Sequence, residues 1–221
     1  MSLSAFEIIG PPMIGPSSSH TAGAVRIGLV ARHLMGRQPN SARIGLHGSF
    51  AATGHGHATD RGIVAGLLGW APDDKRLKDS LEIAAREGLR AEFAVEDLGE
   101  SVHPNSARIE LDAGEKLSLV ASSVGGGSIE VVSVDQYAVR FFGRLDSLVI
   151  WHDDRPGFLA HVTAIFSCVE ANIATIQTAR RQRAEDALTV IELDAAPLPE
   201  VKALLRRIGH VRRLACVPPL P

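Results

Sequence analysis

Leu145-Asp146-Ser147-Leu148-Val149-Ile150-Trp151-His152 runs directly into Asp153-Asp154-Arg155-Pro156-Gly157. The first part is rich in Leu, Val, Ile and Trp and reads as a buried strand. The second part is turn chemistry, with proline fixing φ and glycine free to take a positive one. A helix follows over Phe158–Glu170, where Leu159, Val162, Ile165, Phe166 and Val169 recur at three- and four-residue steps. Ile173–Arg181 alternates as a strand, Glu185-Asp186 lies in a turn, and Ala187–Asp194 is another strand. Pro197 and Pro199 open a second helix that runs through Arg207 and stops at Gly209. Val211–Val217 is the last strand.

The order β-α-β-β-α-β is the ferredoxin-like split. With Asp154-Arg155-Pro156-Gly157 after the first strand and Asn172-Ile173 opening the second, residues 145–221 resemble an ACT regulatory domain. The resemblance implies a small-amino-acid effector site framed by Arg155, Pro156, Gly157, Asn172 and Ile173, often between two paired domains, and hence self-association through this domain. Backbone N–H groups at the start of a helix hold a carboxylate, and carbonyls at a sheet edge hold an ammonium. The plainer reading of Asp154–Gly157 is a turn and helix cap.

Residues 1–144 form the other domain. Ala24–Met35 reads as a helix with Ile27, Val30, Ala31 and Leu34 on one face. Ala42–Leu46 is a short strand, Ser49–Ala52 begins a helix, and Arg61–Leu68 and Leu77–Gly88 are helical. Arg90–Val95, Ala107–Leu111, Leu117–Ala121 and Ile129–Val134 read as strands. The fold class is α+β: a mixed N-terminal domain with a largely antiparallel sheet, then the βαββαβ domain.

Gly15-Pro16-Ser17-Ser18-Ser19-His20-Thr21-Ala22-Gly23 carries the chemistry. Hydroxyls and N–H groups ahead of a helix converge on an anion. One capping residue suffices for a helix, so this run of hydroxyls and imidazole points to a carboxylate site.

Gly-Pro-Ser-Ser-Ser-His-Thr resembles the hallmark of the bacterial iron–sulfur L-serine dehydratase family, in the part called the beta chain. Three further stretches agree: Leu46-His47-Gly48-Ser49-Phe50-Ala51-Ala52-Thr53-Gly54-His55-Gly56-His57-Ala58-Thr59-Asp60, His103-Pro104-Asn105-Ser106 and Ser123-Val124-Gly125-Gly126-Gly127. The chain departs from the family at His55, where lysine is common, and at Ser106, where threonine is common. The resemblance implies that L-serine loses water and then ammonia, giving pyruvate, with a [4Fe–4S] cluster as Lewis acid and no pyridoxal phosphate (PLP). Such a cluster needs several cysteine ligands. This chain has two, Cys168 and Cys216, in apolar settings, so the cluster is expected on a separate alpha chain. His20, His57 and Asp60 are then the catalytic candidates, with Asp60 orienting His57 and His20 moving a proton or orienting substrate. Ser17, Ser18, Ser19, Thr21, His103 and Asn105 are the candidates for binding L-serine. His33, His47, His152, His161 and His210 are read as structural or surface residues.

Composition narrows the field. A net charge of -2 without a basic cluster on one segment gives no footprint for nucleic acid or an anionic membrane. No stretch approaches the ~20 apolar residues of a membrane span, and Met1–Gly10 lacks the pattern of a signal peptide. A cytoplasmic protein is expected. Two other readings stand beside the dehydratase. His55-Gly56-His57 with Asp60 would make a metal-dependent hydrolase, although the surrounding glycines do not resemble a barrel strand end. Alternatively the chain is a non-catalytic amino-acid sensor, because domains related to both halves occur in some 3-phosphoglycerate dehydrogenases.

Overall fold

A computed structural model describes residues 11–54, 56–183 and 185–221. The chain divides into two compact units, residues 1–136 with Pro221, and residues 137–220. Residues 137–144, grouped above with the N-terminal domain, thus fall in the second unit.

In the first unit a five-residue π-type turn, Ser18–Ala22, leads without a break into α1, Gly23–Met35. Next come β1 (Ser41–His47), α2 (Gly48–Thr53), α3 (Thr59–Leu67) and α4 (Ser80–Arg86). Four strands follow: β2 (Arg90–Val95), β3 (Ser106–Asp112), β4 (Lys116–Gly125) and β5 (Ser128–Val134). They lie in the order β2-β1-β3-β4-β5. The β1–β2 pair is parallel, and β1–β3, β3–β4 and β4–β5 are antiparallel, so the expected largely antiparallel sheet is present. Leu77–Gly88 is not one helix: a 3₁₀ turn over Lys75–Asp79, capped by the Asp74 side chain, precedes α4. The break falls at Ser80, which is fully buried and donates its hydroxyl to Arg61 O at 2.9 Å.

The core of this unit is α1 and α3 against the sheet. Ile27, Val30, Ala31 and Leu34 are fully buried, as are Ile63, Val64, Ala65 and Leu67. The two helices cross with backbones in contact. A Cβ at Gly28 would lie 2.2 Å from Ile63 O, and one at Gly66 would lie 2.1 Å from Val25 O. Gly62 sits against Ala24 and Thr21 O, so the starts of the two helices lie side by side.

The second unit opens with β6 (Tyr137–Phe141), which packs on β8 and β9. Then come β7 (Asp146–Asp153), α5 (Phe158–Cys168), β8 (Ile173–Arg180), β9 (Asp186–Leu193), α6 (Pro199–Arg207) and β10 (Val211–Val217). The sheet order β10-β7-β9-β8 with all pairs antiparallel is the ferredoxin-like arrangement. Leu148, Ile150, Phe158, Val162, Phe166, Ile191, Leu193, Val201 and Leu205 form its core; of the expected α5 stripe Val162 and Phe166 lie in it, Ile165 and Val169 pack against it, and Leu159 is exposed. Among the described residues, no helix is long and apolar enough to cross a membrane.

The crossing of α1 and α3 leaves no room for a methyl group. Gly28→Ala and Gly66→Ala should each cost roughly 1–3 kcal/mol, the range for forcing atoms into packed space. Gly209→Ala, with open space around it, serves as the control. Denaturant unfolding measures all three, and equal midpoints would remove the close crossing.

Candidate active site

The four motif stretches meet at one end of the first unit's sheet. His47, Ser106 and Ser122 are register neighbours across β1, β3 and β4, so the end of β1, the start of β3 and the end of β4 lie together. Beyond β1 the chain turns sharply at Gly48, whose φ is +54°. A Cβ there would lie 2.8 Å from Pro104 Cα and O, which only glycine avoids. Phe50 N–H donates to Pro104 O at 3.3 Å, and Ser123 N–H donates to Asn105 O at 2.8 Å. The His103–Ser106 stretch is thereby fixed between α2 and β4.

Ser17 caps the π-type turn in extended conformation, accepting from His20 N–H at 3.2 Å. The same hydroxyl lies 3.4 Å from His20 Nδ1. On the other side of the ring, Nε2 lies 3.1 Å from Ser49 Oγ. The rings of His57 and Phe50 meet His20 edge-on at 5.0 and 5.3 Å. Burial, and then the neighbouring His57, pull the His20 pKa below its ordinary value, while a hydrogen bond to the Ser49 backbone opposes them. The ring is therefore neutral at neutral pH, held between two hydroxyls, with a lone pair for a proton.

The remaining candidates divide. Ser18 and Ser19 are half-buried in the turn, and Ser18 O accepts the N–H of Gly23. Thr21, expected to bind substrate, is fully buried and donates its hydroxyl to His57 O at 2.9 Å. It braces the two stretches against each other. Asp60, expected to orient His57, turns its carboxylate to the start of α3, where Oδ1 accepts from Arg61 N–H at 2.7 Å. His57 Nδ1 is buried without a partner among the described residues, so Asp60 does not hold that nitrogen. His103 is exposed, and its Nδ1 accepts from Asn105 N–H at 3.1 Å. Asn105 is half-buried and holds β4 through its carbonyl.

Three groups not singled out from sequence belong to this site: Ser49, Thr59 and Ser123. The buried side-chain polar atoms left without a partner among the described residues are His57 Nδ1, Thr59 Oγ1 and Ser123 Oγ. All three lie in the motif stretches. Ser123 Oγ sits against Gly23, where a Cβ would lie 2.1 Å away, and Ala58, between His57 and Thr59, has a left-handed φ of 58°. The signal is their place in the motifs: Ser49 follows Gly48, Thr59 precedes Asp60, and Ser123 opens the stretch that ends in Gly125-Gly126-Gly127.

Among the described residues no group of three His, Cys, Asp or Glu side chains is placed to hold a metal ion. His55, one member of the metal reading, lies outside the described residues. The cysteines do not fit an iron–sulfur cluster. Both belong to the second unit, Cys168 at the end of α5 and Cys216 within β10. Burial pushes the Cys216 thiol above its ordinary pKa, away from the thiolate a cluster requires.

The second unit has a pocket of about 280 Å³ at the C-terminal end of β7, lined by His152, Asp154, Arg155, Gly157, Phe158 and Thr178 among others. Buried His152 stacks on Phe158 at 3.6 Å, and its Nε2 lies 2.8 Å from Thr189 Oγ1. Thr189 in turn lies 2.8 Å from Thr178 Oγ1, so a hydrogen-bonded chain runs to the pocket wall. Arg155, Pro156 and Gly157 are exposed on the turn beside it. Asn172 and Ile173 are not there. Ile173 pairs with Leu193, and Leu193 with Asp146, at the opposite end of the sheet from Asp153. At ~3.3 Å per residue the two groups lie roughly 20 Å apart within one chain.

Comparison with known proteins agrees with both units. The profile of the family "Serine dehydratase beta chain" matches residues 4–119, and that of the ACT domain matches residues 147–210. The L-serine dehydratase beta chain of Peptoniphilus asaccharolyticus is 39% identical over 89% of this chain and 89% of that protein. The probable L-serine dehydratase beta chain of Bacillus subtilis (strain 168) is 43% identical over 86% of this chain and 87% of that protein. L-serine dehydratase 2 of Escherichia coli (strain K12) is 34% identical, with 66% of this chain aligned to 35% of that protein. Similar along nearly its whole length to such beta chains, the chain belongs to the serine dehydratase beta chain family.

Proposed function

We propose that this chain is the beta subunit of an L-serine dehydratase, a lyase converting L-serine to pyruvate and ammonia. The observation that carries the reading is the neutral His20 ring, held between Ser17 and Ser49 beside three unpartnered buried polar atoms. An amino acid brings a carboxylate, an ammonium and a hydroxyl, which match such a wall. The carboxylate docks on the hydroxyls and N–H groups of Ser17–Ser19 at the start of the helical run. Thr59 and Ser123 hydroxyls take the remaining polar groups of the substrate, and His57 lines the same wall. Loss of water from serine requires removal of the α-proton, and neutral His20 is the base for it.

A [4Fe–4S] cluster, held by a separate alpha chain, supplies Lewis-acid chemistry at the leaving hydroxyl; no PLP takes part. The relatives matched along nearly the whole chain support an alpha-chain partner, because they are named as beta chains. The purely regulatory reading is not favoured, since the relatives matched along nearly the whole chain are named as dehydratase beta chains. The ACT unit senses L-serine or a related amino acid at the pocket beside Arg155–Gly157. A site that adds Asn172 and Ile173 to it requires a second copy, because one chain holds them at opposite ends of the sheet. Self-association through this unit, and a cytoplasmic location, complete the proposal.

Anaerobic co-expression with the alpha chain, followed by a pyruvate assay with L-serine, tests the function. Turnover is expected in the pair. This chain alone, reconstituted with iron and sulfide, should show neither turnover nor stable cluster absorbance. A stable cluster on the isolated chain would defeat the two-chain proposal.

In the assembled enzyme, His20→Ala should lose at least ~100-fold in kcat with the cluster intact, as general bases contribute ~10²–10⁴-fold. His33→Ala, within α1, should lose little. Because the His20 pKa is lowered from 6.5, protonation removes the base only below that value. The acid limb of kcat/KM should therefore fall below pH 6.5. A limb above it, or equal small losses in both variants, would exclude His20 as the base.

Thr59→Val removes a buried hydroxyl that has no partner among the described residues. Stability should hold or rise by up to ~1 kcal/mol, while kcat/KM falls about tenfold or more, the worth of a hydrogen bond to a charged group. Denaturant unfolding and steady-state kinetics read the two effects separately. A loss of stability without a kinetic effect would make the hydroxyl structural.

A further inference from the structure

β2 forms one edge of the first unit's sheet and pairs in parallel with β1. Arg90 N–H donates to Asn40 O at 3.0 Å and Glu96 N–H to Leu46 O at 2.9 Å. The N–H and C=O of one strand residue point to the same side, and the next residue reverses them. Arg90, Glu92, Ala94 and Glu96 thus turn their backbone groups toward β1. Those of Ala91, Phe93 and Val95 point outward, where they have no backbone partner among the described residues. The outward row also presents apolar surface, Phe93 being 38% and Val95 83% exposed. Edges are normally guarded by charge, proline or a bulge; β2 has charge at Arg90 and Glu92, while the outward row Ala91, Phe93 and Val95 is apolar and has neither proline nor bulge.

We infer that β2 is a dimerisation edge, which pairs antiparallel with β2 of a second copy about a twofold axis through Phe93. Hydrogen bonds across the edge form only when outward residues oppose outward residues, which places the axis on a residue rather than between two; an axis at Arg90 or Ala91 overlaps no strand residue beyond Glu92. An axis at Glu92 sets that carboxylate against its own copy. One at Ala94 sets Glu92 against Glu96, and like charges directly opposite are destabilising. One at Val95 sets Phe93 against Asp97 and shortens the overlap. With the axis at Phe93, the two Phe93 residues oppose each other and Ala91 opposes Val95. Each of these pairs exchanges both N–H···O bonds. Arg90 then opposes Glu96 at both ends, in the closer, non-hydrogen-bonded type of pair. Glu96 already accepts from Arg108 Nε at 2.7 Å, and exposed Arg90 adds a second cation to that carboxylate. This charge pattern, complementary to itself only in antiparallel register, selects a second copy over an unrelated strand.

Site-directed cross-linking of the full chain tests the register, with Cys168→Ser and Cys216→Ala as background. A hydrogen-bonded antiparallel pair sets Cα atoms ~5.5 Å apart, within disulfide reach. Phe93→Cys should give a cross-linked dimer under mild oxidation. Ala91→Cys and Val95→Cys should fail separately and cross-link when mixed. Phe93→Pro removes an outward N–H that no bond within the chain uses, which an edge strand tolerates. Introduced into the mixed Ala91→Cys and Val95→Cys pair, it should abolish their cross-link, whatever pairing the second unit makes, with the circular dichroism unchanged. The inference is overturned by no cross-link at Phe93→Cys, or by a mixed cross-link that survives Phe93→Pro. Self-cross-linking of Ala91→Cys as fast as Phe93→Cys overturns it as random collision. Loss of the Phe93→Cys cross-link on binding the alpha chain overturns it too, because that edge then belongs to the other subunit.

Discussion

The crossing of α1 and α3, backbone against backbone, is the constraint on which the first unit depends. Ordinary helix pairs are held 8–10 Å apart by their side chains. Gly28, Gly62 and Gly66 remove those side chains where the helices meet, so Ile63 O and Val25 O approach the opposing glycines directly. The gain is positional. The start of α1 carries Ser17–Thr21 and the start of α3 carries His57–Asp60. Wider spacing would separate the His20 and His57 rings, now 5.0 Å apart, and would pull Thr21 away from the His57 carbonyl that it holds. Packing in the core and geometry at the site are therefore one constraint.

The sheet supplies the second half of the site by a different means. β1, β3 and β4 bring His47, Ser106 and Ser122 into line, and the chain leaves that line through tight connections. Gly48 allows α2 to start against Pro104, which sets Ser49 on His20 Nε2. Ser123 reaches Gly23 from the other side. A neutral imidazole between two hydroxyls is the outcome of both halves. Burial depresses its pKa, and the nearby His57 ring adds to the effect because two cations that close would repel.

Periodicity made α1 legible, because Ile27, Val30, Ala31 and Leu34 are all fully buried, whereas β8, which alternates in sequence, is largely exposed. The Leu77–Gly88 break was not legible, since Ser80 reads as an ordinary helical residue until its bond to Arg61 O is seen. At the site, the density of hydroxyls around His20 was legible. The directions of Thr21 and Asp60 were not. Both sit at helix starts, where a shift of one residue turns a side chain inward, and the π-type turn at Ser18–Ala22 makes such a shift. In the second unit, Asn172 and Ile173 were recognised as a strand start. Which end of the sheet a strand start occupies depends on antiparallel pairing through β9, and the sequence does not display that pairing.

The unpartnered atoms give the clearest link between structure and chemistry. A buried polar group without a hydrogen bond costs about 1–3 kcal/mol, and native proteins leave few of them. Here His57 Nδ1, Thr59 Oγ1 and Ser123 Oγ stand at the start of α3 and the end of β4. A purely structural arrangement would satisfy them or replace them with apolar groups, as it does along α1. Ala58 adds strain in the same place, since a residue with a Cβ is disfavoured at a φ of 58°. Strain and unmet hydrogen bonds concentrated in these motif stretches support the proposed substrate site. In the proposed reaction, binding and proton transfer meet at Ser17, whose hydroxyl caps the docking turn and lies 3.4 Å from His20 Nδ1.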